Sequence, residues 1–491
     1  MAETLNKKAA SGFFWMAVQK YSRMLVGFIS GIILARLLTP FDYGCIGMLA
    51  IFVSLAETFI TMGFGSALIQ KKRPTQEDYS TVFFWNLGMS VLTYAILFFS
   101  APAIARFYEI PILCKVLRVQ GLILFIYAFN IIQRNRLHKS MNFKLLSIVS
   151  VGSSIIALGI TIWMAYRGYG VWALVAQHLI IAAIPSLVFW FYVKWRPSLV
   201  FSTKSFKELF GFGFFMFLRA LVNNFCNRIQ GLLIGKIYNP STLGYYTKAQ
   251  DTENLASTSI SSVLMQVTYP LYSELQDDMP KLKNMLKRLT VMIAYITIPL
   301  LFLLILCARP IFILLYSERW VASIPYFQVL CLAGMAACLH AVQLQSIAAI
   351  GKSKVIFYAM LVKRSVGLLA IVGGLYLFGM KGLLVGVVIN HWFSYAYNAG
   401  LLSRYIGYSF REHLSDLLPI FLISLLAFIA CYFGVGLLHL GLYMDGLLKA
   451  LVFVSIIVAY SLIFKPDAFR FTREFVEPYL SRLFSRLFRK H

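Results

Sequence analysis

The sequence predicts an all-α integral membrane protein. Fourteen transmembrane helices are expected, as two parallel six-helix lobes related by a pseudo-two-fold axis along the membrane normal, plus two extra helices. Three observations predict this. The 491 residues are 60% hydrophobic and only 13% charged, with a mean hydropathy of +0.76, whereas soluble domains carry about 25% charged residues. Loops rich and poor in basic residues alternate along the chain. Finally, the segment GIILARLLTPFDYG (31–44) aligns without a gap with GLLIGKIYNPSTLG (231–244), at an offset of 200.

Each crossing needs about 20 apolar residues. In the first lobe, apolar runs between polar breaks place spans at 11–36, 43–68, 80–104, 113–134, 145–166 and 170–193. The second lobe takes spans at 208–236, 243–271, 287–308, 321–349, 354–378 and 382–403, and two further spans follow at 414–438 and 443–464. The first run carries Gln19, Lys20 and Arg23, and no small-residue cleavage pattern follows it. It is therefore expected to stay as the first span and not to be removed as a signal. The predicted organisation is an N-lobe over 1–193, a cytoplasmic linker over 194–207, a C-lobe over 208–404, spans 13 and 14 over 405–464, and a basic tail over 465–491. In that tail Val476, Tyr479, Leu480, Leu483, Phe484, Leu487 and Phe488 recur at helical spacing, with Arg482, Arg486, Arg489 and Lys490 largely elsewhere. This pattern predicts an interfacial helix on anionic membrane lipids.

Loop charge sets the orientation. One set of loops holds nineteen Lys and Arg residues, among them Lys71, Lys72, Arg73, Arg134, Lys194 and Lys287, while the alternate loops hold seven. The richer set, and with it both termini, is assigned to the cytoplasm. The same rule accounts for the formal charge of +26, so no nucleic-acid partner is expected. An offset spanning six helices preserves orientation, which makes the repeat parallel. Weaker echoes pair Gln133 and Lys144 with Gln343 and Lys354, and Gly170 and His178 with Gly382 and Asn390. Repeated bundles of this kind build many transporters, with the substrate site at the repeat interface.

Enzyme signatures are missing. There is no GxxxxGK[ST], no GxSxG and no HExxH, so neither ATP hydrolysis, nor a nucleophile elbow, nor a zinc site is predicted. His178, His340 and His391 read as packed helix residues. The seven cysteines lie in apolar stretches without a CxxC pair and read as small buried hydrophobes. No cofactor and no metal are expected.

The functional prediction rests on charges inside the spans: Lys20 and Arg23, Glu57, Arg118, Arg219 and Arg228, Lys248, Asp251 and Glu253, and Lys363 and Arg364. Each costs roughly 2.5–3.5 kcal/mol at the helix centre, so facing lipid the set would cost on the order of 25 kcal/mol or more. They must meet one another, a wet cavity, or an interface within snorkelling reach. At about 1.5 Å per residue, Arg23 and Glu57 reach a similar depth, and so do Arg228, Asp251 and Glu253. The expected pairings are Arg23 or Lys20 with Glu57, and Arg228 with Asp251 or Glu253. Arg219, Asn223, Asn227 and Gln230 share a helix face, and Gln19, Arg23, Gly27 and Ser30 match them at offset 200. Two such stripes would line a central cationic cavity. Arginine suits a diphosphate by bidentate hydrogen bonding, and Asn and Gln suit sugar hydroxyls. The predicted substrate-binding set is Lys20, Arg23, Arg118, Arg219, Asn223, Asn227, Arg228 and Lys248. Glu57, Asp251 and Glu253 are expected as coupling or ion-pair residues.

The motifs ILARLLTPFDYG (33–44), GFGSALIQKK (63–72), GYGVWALVAQ (168–177), LLIGKIYNPSTLGYYTKAQ (232–250) and YPLYSELQDD (269–278) resemble the polysaccharide transporter family. This is the oligosaccharide-flippase branch of the multidrug/oligosaccharidyl-lipid/polysaccharide exporter superfamily, and the match is similar to colanic-acid and teichuronic-acid exporters. It covers roughly residues 10 to 410. The resemblance implies a non-enzymatic flippase for undecaprenyl-diphosphate-linked oligosaccharide in the bacterial cytoplasmic membrane. It also implies a groove at the last two spans for the lipid tail, and polysaccharide polymerase or export machinery as a partner. Three rival readings make different predictions. A multidrug exporter of the same superfamily would present a net acidic cavity. A membrane-embedded polymerase or ligase would carry a large catalytic outer loop, and the outer loops here span about 5–13 residues. A scaffold in an export complex would need no cavity.

Overall fold

A computed structural model describes residues 2–438, 440–464 and 466–471; the predicted tail helix over 476–488 lies outside them. The described residues are helical throughout, with no strand. In order they form α1 (Ala2–Leu37), α2 (Pro40–Thr61), α3 (Phe64–Gln70), α4 (Gln76–Tyr108), α5 (Ile112–Gln120), α6 (Ile123–Lys139), α7 (Phe143–Tyr166) and α8 (Val171–Val193). There follow α9 (Thr203–Ile237), α10 (Pro240–Glu274), α11 (Met279–Leu306), α12 (Ala308–Tyr316), a 3-10 turn (Glu318–Ser323), α13 (Ile324–Ala349), α14 (Ser353–Ile406), α15 (Phe410–Gly436) and α16 (Leu442–Phe464). Among the described residues ten helices are long and apolar enough to cross a membrane, or eleven when the bent halves of α9 count as one. α1 and α10, which carry ionic residues along their length, are not among the ten. The 54-residue α14 is counted once, although it breaks at Gly379 (φ 60°, ψ −143°), between the predicted spans 354–378 and 382–403.

Helix starts follow capping chemistry. Thr39, Thr75 and Ser409 each accept a hydrogen bond from the amide three residues on, while Asp42, Asp78 and Glu412 reach back to the cap amide. This satisfies donors that the first turn leaves orphaned. Pro40 sits in the first turn of α2, where its missing N–H costs nothing.

The chain divides into two compact units, 1–247 and 248–491. The division falls within α10 and not in the 194–207 segment, because α9 packs along α2, α3 and α4. That segment is itself tied down. The Ser198 and Ser202 amides donate to Ser80 Oγ and Thr81 Oγ1 at 3.0 Å, Trp195 Nε1 donates to Gln76 Oε1 at 2.7 Å, and Gln133 Nε2 donates to the Trp195 carbonyl at 3.2 Å.

The first unit is built on a close approach between the two copies of the repeated motif. Gly44 is seated on the Pro240 carbonyl and Gly244 on the Pro40 carbonyl. A Cβ at either glycine would overlap the opposing backbone, so only glycine fits. Nearby, Gly231 of α9 lies on the Gly47 carbonyl of α2, Gly235 of α9 lies against the Met48 side chain, and Gly47 faces Leu243 and Thr247 of α10. Lipid offers no hydrophobic gain for helix association, so small residues that admit backbone contact carry the packing. An aromatic core of Phe64, Tyr79, Phe83, Trp195, Trp85 and Phe206 lies at the opposite end of α2 and α4. Beside it Lys71 donates to Asp78 at 3.1 Å and to Glu208 at 2.9 Å. Burial alone would lower Lys71, but the bonds to Glu208 and Asp78 outweigh it and hold the ammonium above the usual lysine range.

The second unit centres on α11, which is buried against α13 and α15. Lys283–Glu412 (2.9 Å) and Lys287–Asp416 (3.0 Å) join α11 to α15 at one end. None of the seven cysteines forms a disulfide, and five of them are buried.

Candidate functional site: a cationic cluster in the first unit

Five helices of the first unit bring polar groups together. α1 contributes Arg23, α2 Glu57, α6 Tyr127 and Arg134, α8 His178, and α9 Arg228. Glu57 lies in the fields of Arg134 and Arg228, Arg23 acts on Arg134 and Tyr127, and Arg228 acts on His178. Asn224 Nδ2 donates to Thr58 Oγ1 at 2.7 Å. That bond fixes α9 against α2 and sets Arg228, one turn further along α9, beside Glu57. Gln120 and His178 Nδ1 approach at 3.4 Å, which anchors α8 to α5.

Two guanidinium groups, those of Arg134 and Arg228, thus act on one carboxylate, and Arg23 acts on Arg134. Among the described residues Glu57 closes no ion pair with any of them, nor with Lys20. The expected pairing of Glu57 with Arg23 or Lys20 is replaced by shared contact with Arg134 and Arg228. Arg23, Arg134 and Arg228 are exposed and Glu57 is half-buried. The arrangement is net positive, exposed and multiply donating, properties that suit a phosphate-type anion.

The sequence reading counted Arg134 as a loop residue, and the structure corrects this. α6 continues to Lys139, so Arg134 lies within the helix. Tyr127, Arg134 and His138, at i, i+7 and i+11, form a stripe that the end of the apolar run at residue 134 concealed.

The remaining predicted residues divide. Arg219 and Asn227 are exposed on α9, Asn223 is half-buried there, and Lys20 is half-buried on α1. Two expected cavity cations are instead engaged by the frame. Arg118 donates from Nε to the Phe98 carbonyl at 3.3 Å and lies 4.1 Å from the Phe98 ring centroid, so α4 holds it. Lys248 is 3% exposed and sits 4.2 Å from the Tyr316 ring centroid and 5.9 Å from that of Trp320, where aromatic faces stabilise its charge. Asp251 acts on Lys248 and Tyr316. Glu253 is buried against Gly334 of α13 and interacts with Ser257. Lys363 and Arg364, adjacent in the chain, both act on His340. A cavity of about 170 Å³ opens between α11, α15 and α16, lined by Lys287, Val291, Pro299, Asp416, Pro419 and Ile457 among others. Among the described residues no His, Cys, Asp and Glu cluster suits a metal ion.

The fold is that of a multi-pass helical membrane protein. The chain belongs to the polysaccharide biosynthesis protein family, whose profile matches residues 33–325. It is 24% identical to the teichuronic acid biosynthesis protein TuaB of Bacillus subtilis, over 72% of this chain and 74% of that protein. It is 21% identical to the lipopolysaccharide biosynthesis protein WzxC of Escherichia coli, over 87% and 88% of the two chains. In fold it is similar to the lipid II flippase MurJ in an inward closed conformation, with a TM-score of 0.74 at 16% identity, over 92% of this chain and 98% of that one.

Proposed function

We propose that this chain is a flippase that moves polyprenyl-diphosphate-linked oligosaccharide across the bacterial cytoplasmic membrane by alternating access. The observation that carries the reading is the exposed, net-positive set in which Arg134 and Arg228 act on Glu57 and Arg23 acts on Arg134. A diphosphate leaving water needs several charge-assisted donors at once, and this cluster supplies them from three helices, α1, α6 and α9. Arg219 and Lys20 extend the positive field, and Asn223 and Asn227 offer hydrogen bonds to sugar hydroxyls. Glu57 keeps the cations from repelling one another before substrate arrives. The polyprenyl chain stays in lipid, with the recess between α11, α15 and α16 as its docking groove. Asp251 and Glu253 are the further candidates for coupling.

In this reading fourteen spans form two parallel six-helix lobes, 1–193 and 208–404, with two helices beyond them, both termini in the cytoplasm and a basic tail on anionic lipid. The likeness in fold to a lipid II flippase supports transport over polymerisation. The positive cluster disfavours a carrier for organic cations, which like charge would repel. No cofactor enters the cycle, and polymerase or export machinery would receive the product.

Reconstitution tests it. Proteoliposomes holding a labelled polyprenyl-diphosphate oligosaccharide are expected to show its transfer between leaflets. Arg134→Gln/Arg228→Gln is expected to slow transfer by about a hundredfold, the effect of about 3 kcal/mol lost from charged hydrogen bonds. Wild-type transfer rates in that variant, at equal incorporation, would remove the cluster from the mechanism.

A further inference from the structure

The segment between α8 and α9 joins exposed apolar side chains to a run of cations. Residues 194–207 read KWRPSLVFSTKSFK, with Lys194, Arg196, Lys204 and Lys207 and no acidic residue. Leu199, Val200 and Phe201 stand consecutively at its centre, and all three are exposed. Leu199, at 93%, has the highest exposure of any large apolar side chain among the described residues. Single apolar side chains on a surface are ordinary, whereas a contiguous patch rimmed by polar residues marks a contact surface.

The backbone holds this tip in place. The Ser198 and Ser202 amides are bonded to Ser80 and Thr81 of α4, so only three residues lie between two fixed points. A stretch that short has little reach to fold back and bury itself. On the N-terminal side Trp195 is packed in the aromatic core of the first unit, and Gln76 Nε2 donates to the Arg196 carbonyl at 2.8 Å. Arg196 itself serves the frame, donating to the Trp190 and Trp195 carbonyls at 2.9 and 2.8 Å. Lys194, Lys204 and Lys207 are exposed.

The tip is also continuous with a span. The Phe201 ring lies 6.1 Å from that of Phe206, which lies 5.5 Å from Phe210, which lies 5.5 Å from Phe214. Phe206, Phe210 and Phe214, at i, i+4 and i+8, share one face of α9. Phe214 and its neighbour Phe215 are exposed within the predicted span 208–236, as side chains that meet hydrocarbon would be. A ladder of rings thus connects the loop to the lipid-facing part of α9, with lysines at its outer end. Apolar side chains beside lysines are the composition of an interfacial membrane contact.

We infer that Leu199, Val200 and Phe201 insert into the cytoplasmic leaflet, with Lys194, Lys204 and Lys207 among its anionic headgroups. The loop is then a membrane anchor. It holds the start of α9, the helix that carries Arg219 and Arg228, at a fixed depth. The inference goes beyond the transport reading and rests on the proposed orientation only for the choice of leaflet.

Depth-dependent quenching tests this on the full-length chain. Leu199→Cys, with Cys114→Ser and Cys226→Ser so that the remaining thiols are buried, is labelled with an environment-sensitive fluorophore. The labelled protein is reconstituted into vesicles of phosphatidylglycerol and phosphatidylcholine. Quenching by a phosphatidylcholine bearing a nitroxide high on its acyl chain is expected to exceed quenching by aqueous acrylamide about threefold. Phe201→Cys, labelled in the same way, should agree, so one misfolded variant does not decide the matter. Omitting phosphatidylglycerol, or introducing Lys194→Gln/Lys204→Gln/Lys207→Gln, should reduce the lipid quenching about twofold. Lipid quenching unchanged by both would overturn the assignment of the lysines. Stronger quenching by acrylamide would place the tip in water and overturn insertion. Protection from both quenchers would also overturn it, since the tip would then be covered by protein. The nitroxide lipid occupies both leaflets, so the outcome does not depend on orientation, and a failure here leaves the transfer experiment above to judge the flippase.

Discussion

At the residue scale, charge inside an apolar helix was the informative signal, and its meaning depended on neighbours that the sequence does not show. Arg118 and Lys248 carry the same formal charge as Arg134 and Arg228. The first two meet a backbone carbonyl and aromatic faces, whereas the second two flank one carboxylate. Arg134 escaped notice because hydropathy ends a span where charge begins, although the helix continues. A prediction at this scale concerns Lys71. Its partner Asp78 is fully buried, so Lys71→Ala leaves an ionised carboxylate with its cap bonds and its bond to Ser205 but no cation. Removing one partner of such a pair costs about 3 kcal/mol, and a corresponding drop in the unfolding midpoint of the detergent-purified chain is expected. Lys71→Arg should recover most of it. An unchanged midpoint in Lys71→Ala would mean that the cap and Ser205 satisfy Asp78 without the ammonium.

At the element scale, the repeat read from sequence turned out to be a contact. Gly44 and Gly244 were visible as equivalent positions, but the alignment could not say that each presses on the other copy's proline carbonyl. Gly44→Ala or Gly244→Ala forces backbone apart, and overpacking of this kind costs about 1–3 kcal/mol. Each single variant is expected to lower thermal stability by a similar amount, since the contact is reciprocal. Stability equal to wild type in both would show that the two turns separate freely. The break in α14 offers a second test. Gly379 has φ 60°, and a Cβ in the left-handed region costs about 1–2 kcal/mol. Gly379→Ala should therefore weaken the hairpin in which Lys363 Nζ donates to Asn398 Oδ1 at 2.9 Å. Increased protease cleavage near residue 379 would report this, whereas wild-type resistance would show that the bend tolerates a side chain.

At the scale of the whole molecule, the orientation proposed from the alternation of basic loops can be measured. Lys204→Cys, on the predicted cytoplasmic side, should react with an impermeant thiol reagent only after the cells are opened. Arg167→Cys should react in intact cells. The reverse pattern would invert the proposed topology and turn the cationic cluster toward the opposite leaflet.

The sequence by itself determined the helical membrane class, the positions of most helices and their capping boxes, and the family. These follow from hydropathy, spacing and local hydrogen bonding, all of which act over a few residues. Only the tertiary structure decided which charges share a site, because side chains on α1, α2, α6, α8 and α9 meet through contacts far apart in the chain. It also decided that α9 packs with the first unit, and that two histidines with no motif between them stack beside two cations. Electrostatic energy depends on distance through space, and one-dimensional order carries little of that information.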